Sequence, residues 1–197
     1  MTYLQNNQLE VYASQSSKEG KPYCGDSYFF YATDEYFICV LADGLGSGQY
    51  AYESSSAVTE VVKHNHNESV DYLMKVCNQV LLQKRGAAVA ILKVYFKAME
   101  FEYSCVGNIR FYLYSDLGKL TYPLPVTGYL SGRPQKYRTQ RFPYSENCKF
   151  LLHSDGINIM NVKSLLRKGS IKQIADELKK QSIDSNDDAT YIIGSLL

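Results

Sequence analysis

Two apolar runs of strand length end in the same way. YFICVLA, residues 36–42, stops at Asp43-Gly44, and KFLLH, residues 149–153, stops at Ser154-Asp155-Gly156. Short continuous apolar runs closed by turn residues read as buried strands. The same pattern of a carboxylate at a strand end recurs twice more. Asp26 sits in Cys24-Gly25-Asp26-Ser27 just before an aromatic strand, within the aromatic-rich stretch of residues 23–31, and Asp187-Asp188 immediately precede a strand over Thr190–Gly194. Four separate strand ends therefore each offer a carboxylate, and they can converge on one edge of a sheet structure. Compact oxygen ligands of this kind suit hard divalent cations. A glycine after the ligand removes a side chain that would otherwise crowd the ion. Taken singly, each Asp-Gly is an ordinary turn and Asp187-Asp188 an ordinary solvated loop.

The elements between these strands alternate in character. Ala57, Val58, Val61 and Val62 mark a helical stripe within residues 51–64, and Val70, Leu73, Met74, Cys77, Val80 and Leu81 mark a second. The short bridge near residues 66–69 suits an antiparallel helix pair. Residues 88–96, 101–106, 110–114 and 120–122 are short, β-branched or aromatic, and separated by turn residues, as strands are. Ile171, Ile174, Ala175 and Leu178 mark a further helix. The layout predicts an α+β fold with antiparallel sheets and helices on their faces.

The 197 residues suit one domain, residues 1–197, and 45% apolar content supplies a sizeable core. The net charge of +1 gives no reason to expect nucleic acid or an anionic membrane surface as partner. Met1–Glu10 is polar and lacks the apolar stretch of a signal peptide, and no run approaches bilayer length. A soluble, cytoplasmic protein is expected. The five cysteines, Cys24, Cys39, Cys77, Cys105 and Cys148, include no CxxC pair, which argues against a structural zinc site. Three lie in apolar runs and read as small buried hydrophobes, consistent with a reducing compartment.

In order, Gly25-Asp26, VLADGLGSG (40–48), GAAVAIL (86–92), VGNIRFYLY (106–114), LLHSDGINI (151–159) and DDATYIIG (187–194) resemble the motif series of the PP2C (PPM) serine/threonine phosphatases. The match spans nearly the whole chain. It is strongest to the short bacterial branch that includes the sporulation phosphatase, and within it to the stressosome feedback phosphatases. CGDS, LADGLGSG, KRGA and PLPVTGYLSGRPQKY carry that closer likeness.

The resemblance implies a four-layer αββα fold, a β-sandwich of two antiparallel sheets flanked by helices. It implies two Mn²⁺ or Mg²⁺ ions at one end of the sandwich. Asp43 would bridge them and the Gly44 carbonyl bind one, with Asp155 and Asp187 on the first ion and Asp26 serving the second. Asp43 and Asp155 would be the catalytic carboxylates. Asp188 stands where larger relatives often have Asn, and Gly25 where many have a glutamate ligand. Lys21 falls where many relatives place a phosphate-binding arginine; a lysine supplies the charge without the bidentate fork, and a solvated loop lysine is the other reading. The implied reaction is metal-dependent hydrolysis of phosphoserine or phosphothreonine by activated water. The implied partners are phosphorylated STAS-domain scaffold proteins of the stressosome, with a monomeric enzyme acting as negative feedback on the general stress response.

Other chemistries fit less well. A cysteine phosphatase needs Cys-x5-Arg, and Cys105 to Arg110 misses by one residue. Gly44-Leu45-Gly46-Ser47-Gly48 lacks the third glycine of a dinucleotide fingerprint, and Asp43 would repel a pyrophosphate. His64 and His66 fall at a polar helix end. His153 is either a proton donor beside Asp155 or a histidine packed under the site. Arg133, Lys136, Arg138 and Arg141 either dock an acidic phosphoprotein or form the charged face of a hairpin. The rival from another class is an inactive PP2C-like module that only binds a partner; the presence of all four carboxylates argues against it.

Overall fold

The computed structural model describes residues 1–18, 21–183 and 186–197. In chain order the elements are β1 Thr2–Gln5, β2 Leu9–Ser16, β3 Asp26–Ala32, β4 Tyr36–Gly44, α1 Gln49–His64, α2 Val70–Val80, β5 Ala87–Tyr95, β6 Glu100–Val106, β7 Arg110–Tyr114, β8 Leu120–Thr121, β9 Gln140–Pro143, β10 Lys149–His153, α3 Val162–Arg167, α4 Ile171–Ile183 and β11 Ala189–Leu196. Among the described residues, eleven strands form two antiparallel sheets, ordered β1-β2-β11-β10-β7-β8 and β3-β4-β5-β6-β9. The α+β sandwich expected from the sequence is the fold observed.

The near-continuous apolar strands follow from burial on both faces. Along β4, Phe37, Cys39 and Leu41 face the other sheet, where Phe37 meets Phe150 of β10 with ring centroids 5.7 Å apart. Alternate residues Ile38, Val40 and Ala42 face the opposite way, against Val58 and Val62 of α1 and Leu73 and Met74 of α2. In the other sheet, Ile192 points inward, while Tyr191 and Ile193 pack beneath Ile174, Ala175 and Leu178 of α4. Three apolar layers therefore stack as helix on sheet, sheet on sheet and sheet on helix, the αββα arrangement. One lysine interrupts this pattern. Lys93 on β5 is buried, and its Nζ donates to the carbonyls of His66 (3.0 Å), Asn67 (2.9 Å) and Glu68 (2.7 Å). It anchors the bend between α1 and α2, whose own start is capped by Ser69, the hydroxyl of which accepts from Tyr72 N.

Three pieces lay outside the sequence expectations: the β1–β2 hairpin, the edge strand β9 and the six-residue α3. β2 pairs with β11 along its whole length, from Leu9↔Leu196 to Ser16↔Ala189. All five cysteines are free thiols; four are buried and Cys24 is partly so.

Candidate metal centre

Strand parity carries the carboxylates to one end of the sandwich. Asp43 follows Phe37, Cys39 and Leu41 in the two-residue alternation of β4, so it lies on the face turned toward the other sheet. Asp26 of β3 is its direct register partner and shares that face. From the second sheet, Ser154 follows Phe150 and Leu152, and Asp188 and Thr190 precede Ile192, on inward-facing positions. Asp26 is 1% exposed. Its Oδ2 accepts from Ser154 Oγ at 2.7 Å, and Ser154 Oγ accepts from Thr190 N at 3.0 Å. Ser154 thus joins the two sheets at the place where they part, a role that the sequence reading did not assign.

The two adjacent aspartates separate sharply. Asp188 is buried, and its oxygens accept from Lys18 N at 2.8 Å and Gly25 N at 2.7 Å. Asp187 is exposed, and its Oδ1 accepts from Asp188 N at 2.9 Å. Asp155 is also exposed, with Oδ2 accepting from Asn108 Nδ2 at 2.7 Å. Asn108 lies in the β6–β7 turn, inside the VGN motif but not singled out from sequence.

The glycines after the aspartates have a second reason to be glycine. A Cβ on Gly44 would lie 2.0 Å from Ala51 O, and one on Gly156 would lie 2.0 Å from Asp188 O. Close backbone packing against α1 and against the start of β11 therefore demands them. A Cβ on Gly25 would stand 2.8 Å from Asp188 Oδ2, so the Asp188 carboxylate fills the space into which a residue-25 side chain would grow. Residues 123–130 close the neighbouring wall. Val126 bridges Val106, Leu130 bridges Ala87, and a cleft of about 370 Å³ opens between Asp43, Leu45, Asn108 and Thr127–Tyr129.

Electrostatics suit a cation. Asp43 is pushed up to about 8, first by burial and then by repulsion from Asp26, Asp155, Asp187 and Asp188. Asp26 is pushed up to about 7, mainly by burial, against the opposing hydrogen bonds from Ser154 and Thr190. Among the described residues, no three carboxylate, imidazole or thiol groups are already drawn together as a cage. The crowded carboxylates are nonetheless the donor set that hard cations take.

Lys21 lies exposed on the β2–β3 connection, its N donating to Lys18 O at 3.1 Å, and among the described residues it has no carboxylate within ion-pair distance. His153 is buried, stacked on Tyr112, and pushed down to about 4 by burial, so its ring is neutral at neutral pH. It is packed beneath the site and carries no imidazolium proton to donate. His64 and His66 do not converge: His66 bonds Tyr36 while His64 turns to Glu60. In the basic segment, Arg141 is neutralised by Glu100 at 2.8 Å and Glu102 at 3.8 Å across the β6–β9 pair.

The chain is 45% identical over 193 residues to the phosphoserine phosphatase RsbX of Bacillus subtilis (strain 168), covering 98% of this chain and 97% of that one. A crystal structure of RsbX in complex with magnesium matches with a TM-score of 0.96 at 44% identity, covering 100% of this chain and 99% of the other. This chain belongs to the RsbX branch of the PP2C-type phosphatases. No protein-family model matches it. A structure from a study of the bacterial stressosome matches this RsbX-type fold with a TM-score of 0.84 at 26% identity, over 95% of this chain and all of that one. The PP2C phosphatase domain of SpoIIE from Bacillus subtilis, at 15% identity, shares the fold with a TM-score of 0.82 over 98% of this chain and 63% of that one. Among the described residues of this RsbX-type chain, no helix is long and apolar enough to cross a membrane.

Proposed function

We propose that this chain is a metal-dependent protein serine/threonine phosphatase that removes phosphate from phosphorylated STAS-domain scaffold proteins of the stressosome and so acts as negative feedback on the general stress response. It would do so as a cytoplasmic monomer with residues 1–197 as one catalytic domain. The observation that carries the reading is the convergence of Asp26, Asp43, Asp155 and Asp187 from both sheets on one end of the sandwich, in a chain close to a named phosphoserine phosphatase. The stressosome partner is supported by the RsbX likeness and by the stressosome-derived structural match.

Asp43 would serve both of two divalent ions, Asp155 and Asp187 the first and Asp26 the second, with the Gly44 carbonyl on one of them. Two such ions, Mn²⁺ or Mg²⁺, supply an acidified water as nucleophile and neutralise charge on the phosphoryl oxygens. The chain's own part is placement. Asp43 is fixed by its strand, with Gly44 N donating to Gly25 O at 3.0 Å just beyond it. Ser154 holds Asp26 and Asn108 holds Asp155, so each carboxylate keeps one orientation. Asp187 would be the ligand of the aspartate pair, a choice supported by the two main-chain N–H groups that the Asp188 oxygens already accept. Lys21 would meet the substrate phosphate as a point charge.

The test is dephosphorylation of a phosphorylated STAS-domain scaffold protein by the pure enzyme with Mn²⁺. Release of phosphate that stops on adding a chelator is expected. A scaffold that keeps its phosphate under these conditions would refute the assignment of partner.

A further inference from the structure

We propose that Arg85, laid over the Tyr50 ring beside the metal centre, is the receptor for an acidic side chain next to the scissile phosphoserine, and that the enzyme therefore prefers phosphoserines with acidic neighbours. The proposal rests on the phosphatase reading above and names a class of substrate for it.

The placement follows from strand register. Asp43 pairs with Ala88 and Gly44 with Ala87; Leu45 N then donates to Gly86 O at 3.0 Å. One further step, in the bend beyond the ends of β4 and β5, brings Gly46 to Arg85, no more than about 7 Å beyond Gly44. The side chain confirms this neighbourhood. A Cβ on Gly46 would lie 2.6 Å from Arg85 Nη1, and Gly46 adopts φ +92°, where a side chain is disfavoured anyway. Arg85 Cζ is 5.1 Å from the centre of the Tyr50 ring, a cation–π distance. The guanidinium is thus held between the loop that follows the metal carboxylates and an aromatic face at the start of α1.

Its donors remain available. Among the described residues no carboxylate lies within ion-pair distance of Arg85 or Lys84, and neither donates a side-chain hydrogen bond. The two line a hollow of about 440 Å³ with Tyr50, Glu53 and Gln83. Glu53 is the one acid there among the described residues, and its Oε1 accepts from Gln49 Nε2 at 2.8 Å. Tyr50 is 61% exposed. A preoriented planar fork with unmatched charge is suited to a carboxylate taken bidentately.

A side-chain carboxylate fits better than the reacting phosphoryl group. The cleft beside Asp43 is walled by Asn108 and Thr127–Tyr129, whereas the Arg85 hollow lies past Leu45 and does not include Asp43. An extended peptide advances about 3.3 Å per residue, so a phosphoserine at the carboxylates would bring a side chain one to three positions away over Arg85.

The experiment uses three substrates with Mn²⁺: a phosphoserine peptide flanked by glutamates, its glutamine counterpart, and p-nitrophenyl phosphate. The wild type should favour the glutamate peptide over the glutamine one by about tenfold in kcat/KM, expressed in KM. Arg85→Ala should abolish most of that preference, losing far more on the glutamate peptide than on the other two substrates. Glu53→Gln, which removes a competing charge, should enlarge the preference, an effect of opposite sign that damage to the fold would not give. Equal loss on all three substrates in Arg85→Ala, or no wild-type preference, would overturn the proposal. Wild-type inactivity on all three would instead refute the phosphatase reading itself.

Discussion

Asp187 and Asp188 are adjacent, identical in chemistry and different in work. Asp188 shares the parity of Thr190 and Ile192, so it turns inward and accepts from Lys18 N and Gly25 N, tying the β2–β3 connection to the head of β11. Asp187 turns outward. Asp188→Ala would leave two main-chain donors without their acceptor, and unfolding stability should fall by about 1–3 kcal/mol. Asp187→Asn should leave stability within about 0.5 kcal/mol, as exposed substitutions do, while depressing activity. Denaturant melts of the two variants, beside turnover, separate the roles; equal destabilisation would show that both aspartates are structural. Sequence alone could rank them only through resemblance, because both sit at the same strand end. Parity along β11 does not separate them from sequence either, because Tyr191 and Ile193 are as apolar and buried as Ile192. Ser154 and Asn108 were invisible for another reason: nothing about a serine or a turn asparagine marks it as a carboxylate's partner until the sheets are stacked.

Elements were legible in proportion to their burial. β4, β5, β10 and β11, covered on both faces, carry apolar runs in the sequence that end close to the ends of the strands. β1 and β9 lie on sheet edges with largely exposed residues, and α3 is too short to show a period. β2 does alternate Leu9, Val11 and Ala13, but it sits in a stretch whose polarity masked the pattern. Lys93 interrupts the apolar run of β5 because it caps the end of the α1–α2 bend with three charge-assisted hydrogen bonds. Lys93→Met keeps the stem's packing but orphans those carbonyls, and should destabilise the fold by about 1–3 kcal/mol with no direct effect on metal affinity. A variant as stable as the wild type in urea would mean that the bend is held by other contacts.

At the scale of the molecule, the site lies where two sheets part, and each sheet supplies acids to it. That arrangement couples stability to pH and to cations. Asp26 and Asp43 are raised from 3.8 in the reference state to about 7 and about 8. The folded metal-free protein therefore binds more protons than the unfolded chain between those limits. Their contribution to stability is fully present below pH 3.8 and is lost as pH rises through 7 to 8. A divalent cation, which binds the ionised forms, should offset that loss. Mn²⁺ should accordingly raise the melting temperature more at pH 8 than at pH 6. A Mn²⁺ effect independent of pH over that range would mean that these two carboxylates do not meet the ion.

The most direct measurement is the rate of p-nitrophenyl phosphate hydrolysis as Mn²⁺ is titrated into wild type and Asp43→Asn. Wild-type activity should rise from near zero, saturate, and vanish on adding a chelator, whereas Asp43→Asn should remain folded and lose activity by about a hundredfold or more across the titration. Near-normal turnover by Asp43→Asn, or wild-type hydrolysis that survives the chelator, would contradict a metal centre built on Asp43.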